Sequence, residues 1–213
     1  MTNKLLCCIV CSMNVNSSNK QLILSRLAQN QGHITTKEVC SLGIHRQFLK
    51  QLVDSGQLVQ TGRGIYQSPD VMEDELFDIQ TEYKSGVYSY ETSLYLFNLL
   101  ERVPFCWTMT FKGQYHSEKL KKRGIQVKLC VPEFFESGIV EALTPGNHKV
   151  KAYCAERTLC EILKLRAKTD IQVVTYAFKE YAKKSEKNLP LLMHYAKIFK
   201  VEDKVRSYIE VLV

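Results

Sequence analysis

The stretch from Gly32 to Gln67, GHITTKEVCSLGIHRQFLKQLVDSGQLVQTGRGIYQ, limits what this chain can fold into more than any other. Thr35 is a good N-cap and Glu38 stands three residues on, so a capping box opens a helix whose apolar residues Val39 and Leu42 point one way. Gly43 breaks that helix, because glycine tolerates the positive φ that a tight bend demands, and Ile44 plugs the junction. From His45 to Ser55 the apolar residues Phe48, Leu49, Leu52 and Val53 recur at helical spacing, and Gly56 is a natural stop. Leu58-Val59-Gln60 and Ile65-Tyr66-Gln67 are short β-prone runs joined by Thr61-Gly62-Arg63-Gly64, which predicts a two-stranded hairpin with Arg63 at its tip. Helix, glycine turn, helix and glycine-rich hairpin in that order predict a winged helix-turn-helix.

The helix at 45–55 leaves Arg46, Gln47, Lys50 and Gln51 on the face opposite its apolar residues. Those side chains suit a groove: Arg forks to guanine O6 and N7, Gln pairs with adenine N6 and N7, and Lys supplies a phosphate or guanine contact. Thr36, Lys37 and Arg63 are assigned to backbone positioning, with Arg63 reaching a phosphate or the minor groove. Amphipathic helices with a solvated polar face are common in small helical domains, so it is the order of elements that makes the pattern specific.

Bulk properties fit that reading without deciding it. The net charge of +7 suits a polyanionic partner, and residues 1–70 carry +4 of it against +3 for the much longer remainder. Of the eight cysteines, Cys40, Cys106, Cys130, Cys154 and Cys160 lie in apolar or periodic surroundings, which predicts buried small hydrophobes and a reducing cytoplasm. Cys7, Cys8 and Cys11 cluster without a second Cys/His pair nearby, so no metal site is assigned. The run Leu5 to Cys11 is at the short limit of a signal core and lacks a cleavage site, and no apolar stretch approaches the ~20 residues that span a bilayer.

Taken in order, residues 1–17 are expected as a flexible tail, 18–69 as the winged helix-turn-helix, and 70–213 as a C-terminal α+β domain, with a boundary at Ser68-Pro69-Asp70. Residues 74–83 and 89–100 show helical spacing. Cys106–Phe111, Gly124–Val131, Gly138–Leu143 and Lys149–Tyr153 alternate or run apolar, predicting a small, mostly antiparallel sheet. Four helices are expected over 156–167, 171–184, 189–199 and 202–212. The densest basic stretch, 112–123, gives a candidate second basic surface of Lys112, Tyr115, Lys119, Lys121, Lys122 and Arg123, with Tyr115 offered for stacking; a solvated loop is the plain alternative.

Over about residues 20–213 the chain resembles the AbiEi family, the antitoxin and transcriptional-repressor component of type IV abortive-infection toxin–antitoxin systems. The resemblance rests on GHITTKEVCSLGIHRQFLKQLVDSGQLVQTGRGIYQSP, GVYSYETSLYLFNLLERVP, and AERTLCEIL with a helical tail ending KVRSYIEVL. It implies a winged helix that binds inverted repeats in the operon's own promoter DNA and a C-terminal domain needed for antitoxicity. It also implies a functional partner, a nucleotidyltransferase-like toxin, opposed without a stable complex. His45 stands where the family often has Ser opening the recognition helix, which weakens the expected cap and places an imidazole among the DNA-binding residues. Glu161 stands where Asp is common in what is taken as a packing motif.

The function expected is therefore an autoregulating, sequence-specific repressor and antitoxin with no catalytic residues and no cofactor. A rival is a nucleic-acid- or nucleotide-processing enzyme that uses the winged helix for docking. Its chemistry is missing from the sequence: there is no D-x-D pair, no P-loop and no H-E-x-x-H, and His33, His45, His116, His148 and His194 are dispersed. Tyr90-Glu91 and Glu156-Arg157 are its only candidates, and a buried ion pair or helix-start role explains them as well. A thiol- or metal-responsive regulator using Cys7, Cys8 and Cys11 is a third reading.

Overall fold

The computed structural model describes residues 18–71, 74–116, 118–164 and 169–212. The expected tail and its Cys7, Cys8 and Cys11 lie outside the described residues. The chain divides into two compact units, one ending at Glu82 and the other beginning at Tyr83.

In the first unit a helix, α1, occupies residues 18–29. It is followed by β1 (His33–Thr35), α2 (Thr36–Ser41), α3 (Gln47–Asp54), β2 (Val59–Gly62), β3 (Ile65–Gln67) and α4 (Glu75–Glu82). Ile23 and Leu27 of α1, Ile34, Val39, Ile44, Leu49, Leu52 and Leu58 form its core. Both α2 and α3 end in the same way. Gly43 N–H reaches Cys40 O and Ile44 N–H reaches Val39 O, while Gly56 N–H reaches Val53 O and Gln57 N–H reaches Leu52 O. These are Schellman closures, each with a glycine in the left-handed region, φ 73° at Gly43 and 72° at Gly56. Open space surrounds both glycines, so backbone conformation is what selects them.

Three expectations for this unit change. The hairpin has a third strand: β1 pairs antiparallel with β3, giving the order β1-β3-β2. Three residues between a glycine and a helix cap carry too little alternation to signal a strand. Leu42 does not share the buried face of Val39, because it is the C-cap of α2 and is exposed. Cys40 is exposed as well, against the expectation of a buried thiol, whereas Cys160 of the second unit is buried.

The second unit runs β4 (Val87–Tyr88), α5 (Tyr90–Leu96), β5 (Thr108–Lys112), α6 (Glu118–Lys122), β6 (Gln126–Cys130), α7 (Pro132–Phe135), β7 (Ile139–Leu143), β8 (Lys149–Tyr153), α8 (Ala155–Ile162), α9 (Ile171–Lys183), α10 (Leu189–Phe199) and α11 (Glu202–Leu212). Its sheet has the order β6-β5-β4-β8-β7. The sheet is mixed rather than mostly antiparallel: β4–β5 and β7–β8 are antiparallel, but β5–β6 and β4–β8 are parallel. Parallel β5 and β6 need a crossover, and α6 lies within it where a plain basic loop was an open reading. Leu94, Leu159, Val174, Phe178, Leu192 and Val205 bring α5, α8, α9, α10 and α11 into one core. α5 stops at Leu96 instead of continuing to Leu100, because Asn98 takes φ 54° and Leu99 N–H turns back to Leu94 O. The helix expected over 156–167 is α8, ending at Ile162, and residues 165–168 lie outside the described residues.

Leu49 is fully buried on the inner side of α3. Leu49→Ala is expected to cost about 2–5 kcal/mol through lost burial and a cavity. Urea denaturation of the full chain should show this as a lower midpoint.

Candidate nucleic-acid interface

The α2–α3 pair is positioned at its start by a capping box. Thr35 adopts an extended conformation (φ −110°, ψ 154°) and its hydroxyl accepts from Glu38 N–H at 3.3 Å. Glu38 Oε2 in turn accepts from the Thr35 N–H and hydroxyl, both at 2.7 Å. The other carboxylate oxygen accepts from Asn30 Nδ2 at 3.1 Å, which ties the end of α1 to the same point. The hairpin is held to α2 by Thr36 N–H donating to Gly64 O at 2.9 Å. Gly64 takes φ 75°, and a Cβ there would meet Thr36 Oγ1 at 3.0 Å, so the tip closes tightly on α2 only with glycine.

On this scaffold Leu49 and Leu52 turn inward, Phe48 and Val53 are half-buried, and Arg46, Gln47, Lys50 and Gln51 are exposed. Lys37 on α2 and Arg63 at the hairpin tip are also exposed. The structure thus collects Lys37, Arg46, Gln47, Lys50, Gln51 and Arg63 as solvent-facing groups of one compact unit. Thr36 differs from them: it is half-buried and its hydroxyl donates to Gly64 O at 3.4 Å, so its visible work is structural.

His45 corrects an expectation. Instead of weakening the start of the helix, its Nδ1 accepts the Gln47 N–H at 3.2 Å, while Arg46 in the cap position makes no side-chain cap bond. This needs the neutral tautomer with the proton on Nε2. The imidazole therefore stands in for a hydroxyl cap, a role that residue preferences alone do not suggest.

The other basic group belongs to the second unit. Lys119, Lys121 and Lys122 on α6 and the following Arg123 are exposed around a buried Leu120. Lys112 is engaged with Glu136 at 3.1 Å, and Tyr115 stacks on Phe111 with ring centroids 3.8 Å apart. One face of Tyr115 is thus already covered. Among the described residues no group of His, Cys, Asp and Glu is placed to hold a metal, and no helix is long and apolar enough to cross a membrane.

One candidate pair for an enzymatic reading, Glu156-Arg157, has structural partners. Buried Glu156 accepts from Tyr181 OH at 2.9 Å, and buried Arg157 pairs with Glu161 at 3.1 Å rather than with its neighbour Glu156.

Comparison with known proteins bears first on the segment that carries the capping box, the two Schellman turns and the hairpin. Residues 21–69 match the family of transcriptional regulators described as AbiEi antitoxins. The AbiEi-matching segment thus runs from α1 through β3 and contains every candidate DNA-contacting residue of the first unit. A crystal structure of the RV2827C protein from Mycobacterium tuberculosis is similar in fold, with a TM-score of 0.54 at 14% sequence identity, covering 83% of this chain and 71% of that one. No curated protein matches the chain.

His45→Ala is expected to destabilise the chain by about 0.5–2 kcal/mol, and His45→Asn or His45→Ser to recover most of the loss. Thermal melts of the three variants check this. An alanine variant as stable as the parent would show that the imidazole bond is not a working cap.

Proposed function

We propose that the chain is a sequence-specific transcriptional repressor that autoregulates its operon and serves as the antitoxin of a type IV, phage abortive-infection toxin–antitoxin system. The observation that carries this reading is one segment meeting two tests. Residues 21–69 match the AbiEi regulators, and within them a helix capped at both ends presents Arg46, Gln47, Lys50 and Gln51 outward from a buried Leu49–Leu52 face. In this reading residues 18–69 are a winged helix-turn-helix with α3 as the recognition helix and β2–β3 as the wing. Residues 70–213 carry the antitoxin role, although α4 is compact with the reader. The partner DNA is a promoter with inverted repeats. The functional partner is a nucleotidyltransferase-like toxin in the same cytoplasm, opposed without a stable complex.

The division of labour within the reader follows from side-chain chemistry. Arg46 and Gln47 stand at the start of α3, where a helix entering the major groove meets base edges, and both can bond bidentately. Lys50 and Gln51 lie about a turn further on, and Lys37 and Arg63 flank them as phosphate contacts.

Arg46→Ala and Gln47→Ala are each expected to weaken operator binding by ~1–3 kcal/mol and to relax preference at particular base pairs. Titration on the native promoter checks this, and parental affinity in both variants would remove α3 as the reader. Arg63→Ala differs in kind. It should weaken binding nearly uniformly across sequences and reduce the salt slope by ~1, whereas loss confined to one base pair would make it a base contact.

A further inference from the structure

The second unit contains a polar cluster that DNA reading does not use. Arg157 and Glu161, 1% and 4% exposed, face each other along α8, with Arg157 Nε donating to Glu161 Oε1 at 3.1 Å. The other oxygen, Glu161 Oε2, is buried and has no hydrogen-bond partner among the described residues. Of the five N–H groups of Arg157 four have partners, and none of the bonds made goes to Oε2. Nη1 donates to the carbonyls of Phe134 and Ser137, Nη2 donates to Cys130 Sγ at 3.7 Å, and the guanidinium lies 3.4 Å above the Tyr153 ring.

Two half-buried lysines rest on aromatic rings near this pair, neither within ion-pair distance of a carboxylate among the described residues. Lys128 Nζ lies 5.0 Å from the centre of the Tyr90 ring, and Lys164 Nζ lies 3.9 Å from that of Phe199, the ring that Arg157 also approaches at 5.6 Å. Ammonium groups resting on aromatic faces are held by weak contacts that a stronger anion displaces. Burial and the nearby Glu161 charge raise the Tyr90 hydroxyl to about 12, so it stays a proton donor at neutral pH. Burial pulls Lys164 down while Glu161 pulls it up, so the two share one electrostatic environment. Tyr90 also takes φ 52°, a left-handed backbone that a bulky residue adopts only when its surroundings impose it.

We propose that this cluster binds a small phosphate-bearing anion that also presents a hydrogen-bond donor, of the nucleoside monophosphate class. Three cations against one carboxylate leave an excess of positive charge that selects an anion, and Lys128 and Lys164 are the two free to meet a phosphate. The orphaned Glu161 Oε2 is an acceptor and selects a ligand with an amine or hydroxyl to donate. The rings of Tyr90 and Phe199 offer faces to a flat base once the ammonium groups turn to the phosphate.

The test is calorimetric titration and thermal melting of the full chain at low salt with adenosine and guanosine monophosphate and, separately, inorganic phosphate. Saturable nucleotide binding is expected, tighter than that of phosphate. Lys128→Gln combined with Lys164→Gln should weaken it at least tenfold, and both lysines are exposed enough for that chain to fold. Glu161→Gln, which replaces one acceptor oxygen by a donor, should weaken the nucleotide more than phosphate. The groups of α3 and the hairpin are retained in every variant, so a loss traces to the second unit. Absence of saturable binding, binding unchanged in the double lysine variant, or phosphate bound as tightly as the nucleotide would each overturn the proposal.

Discussion

A single carboxylate sets the geometry of the first unit. Glu38 receives the Thr35 N–H and hydroxyl on one oxygen and the Asn30 amide on the other. Thr35 is also the last residue of β1, paired with Ile65 of β3, so the same contact fixes the end of α1, the edge of the sheet and the start of α2. Bonds to an ionised acceptor are roughly twice as strong as neutral ones, and a negative charge in the first turn also meets the positive end of the helix dipole. With α2 fixed, the Gly43 turn directs α3, and the Thr36–Gly64 bond sets the hairpin tip against α2. These bonds, with Leu49 and Leu52 buried beneath it, set which face of α3 points outward.

In the second unit the corresponding role falls to a buried charge. Arg157 holds the carbonyls of Phe134 and Ser137, which flank the turn from α7 into β7, and lies over the ring of Tyr153 at the end of β8. A buried ion pair is a poor source of net stability, because desolvation offsets most of the attraction. Removing one partner is still costly, about 3–5 kcal/mol, since the other is left buried and unpaired. What the arrangement provides is position: the β7 turn is registered against α8 by directional bonds that apolar packing alone does not supply.

The first unit was legible because its signals are local. A capping box, two glycine stops and a hairpin announce themselves within a few residues, and the apolar spacing of α3 names its inner face. What escaped depends on pairing across the chain or on individual geometry. β1 exists because β3 offers it an edge, and the left-handed Asn98 that shortens α5 looks like any other polar residue. The second sheet was read from strands that do alternate, as Val150 and Ala152 do between exposed Lys149 and Lys151. Its parallel pairings follow from a crossover that periodicity does not encode, and β4 is only two residues long. The Arg157–Glu161 pair has i, i+4 spacing visible in the sequence, but nothing there shows that Arg157 would spend its other donors on distant carbonyls.

The two cationic groups differ in what their geometry requires. A crossover helix such as α6 needs one apolar anchor and otherwise faces solvent, and Leu120 among Lys119, Lys121 and Lys122 satisfies that need completely. Lys112 and Tyr115 beside it are engaged with Glu136 and Phe111. The outer face of α3 is different, because solvation asks only for polarity whereas Arg46, Gln47 and Gln51 bring forked or paired donors and acceptors. An ordinary solvated helix would be served equally well by lysine and glutamate alone, whereas this face sets one lysine, Lys50, among an arginine and two glutamines.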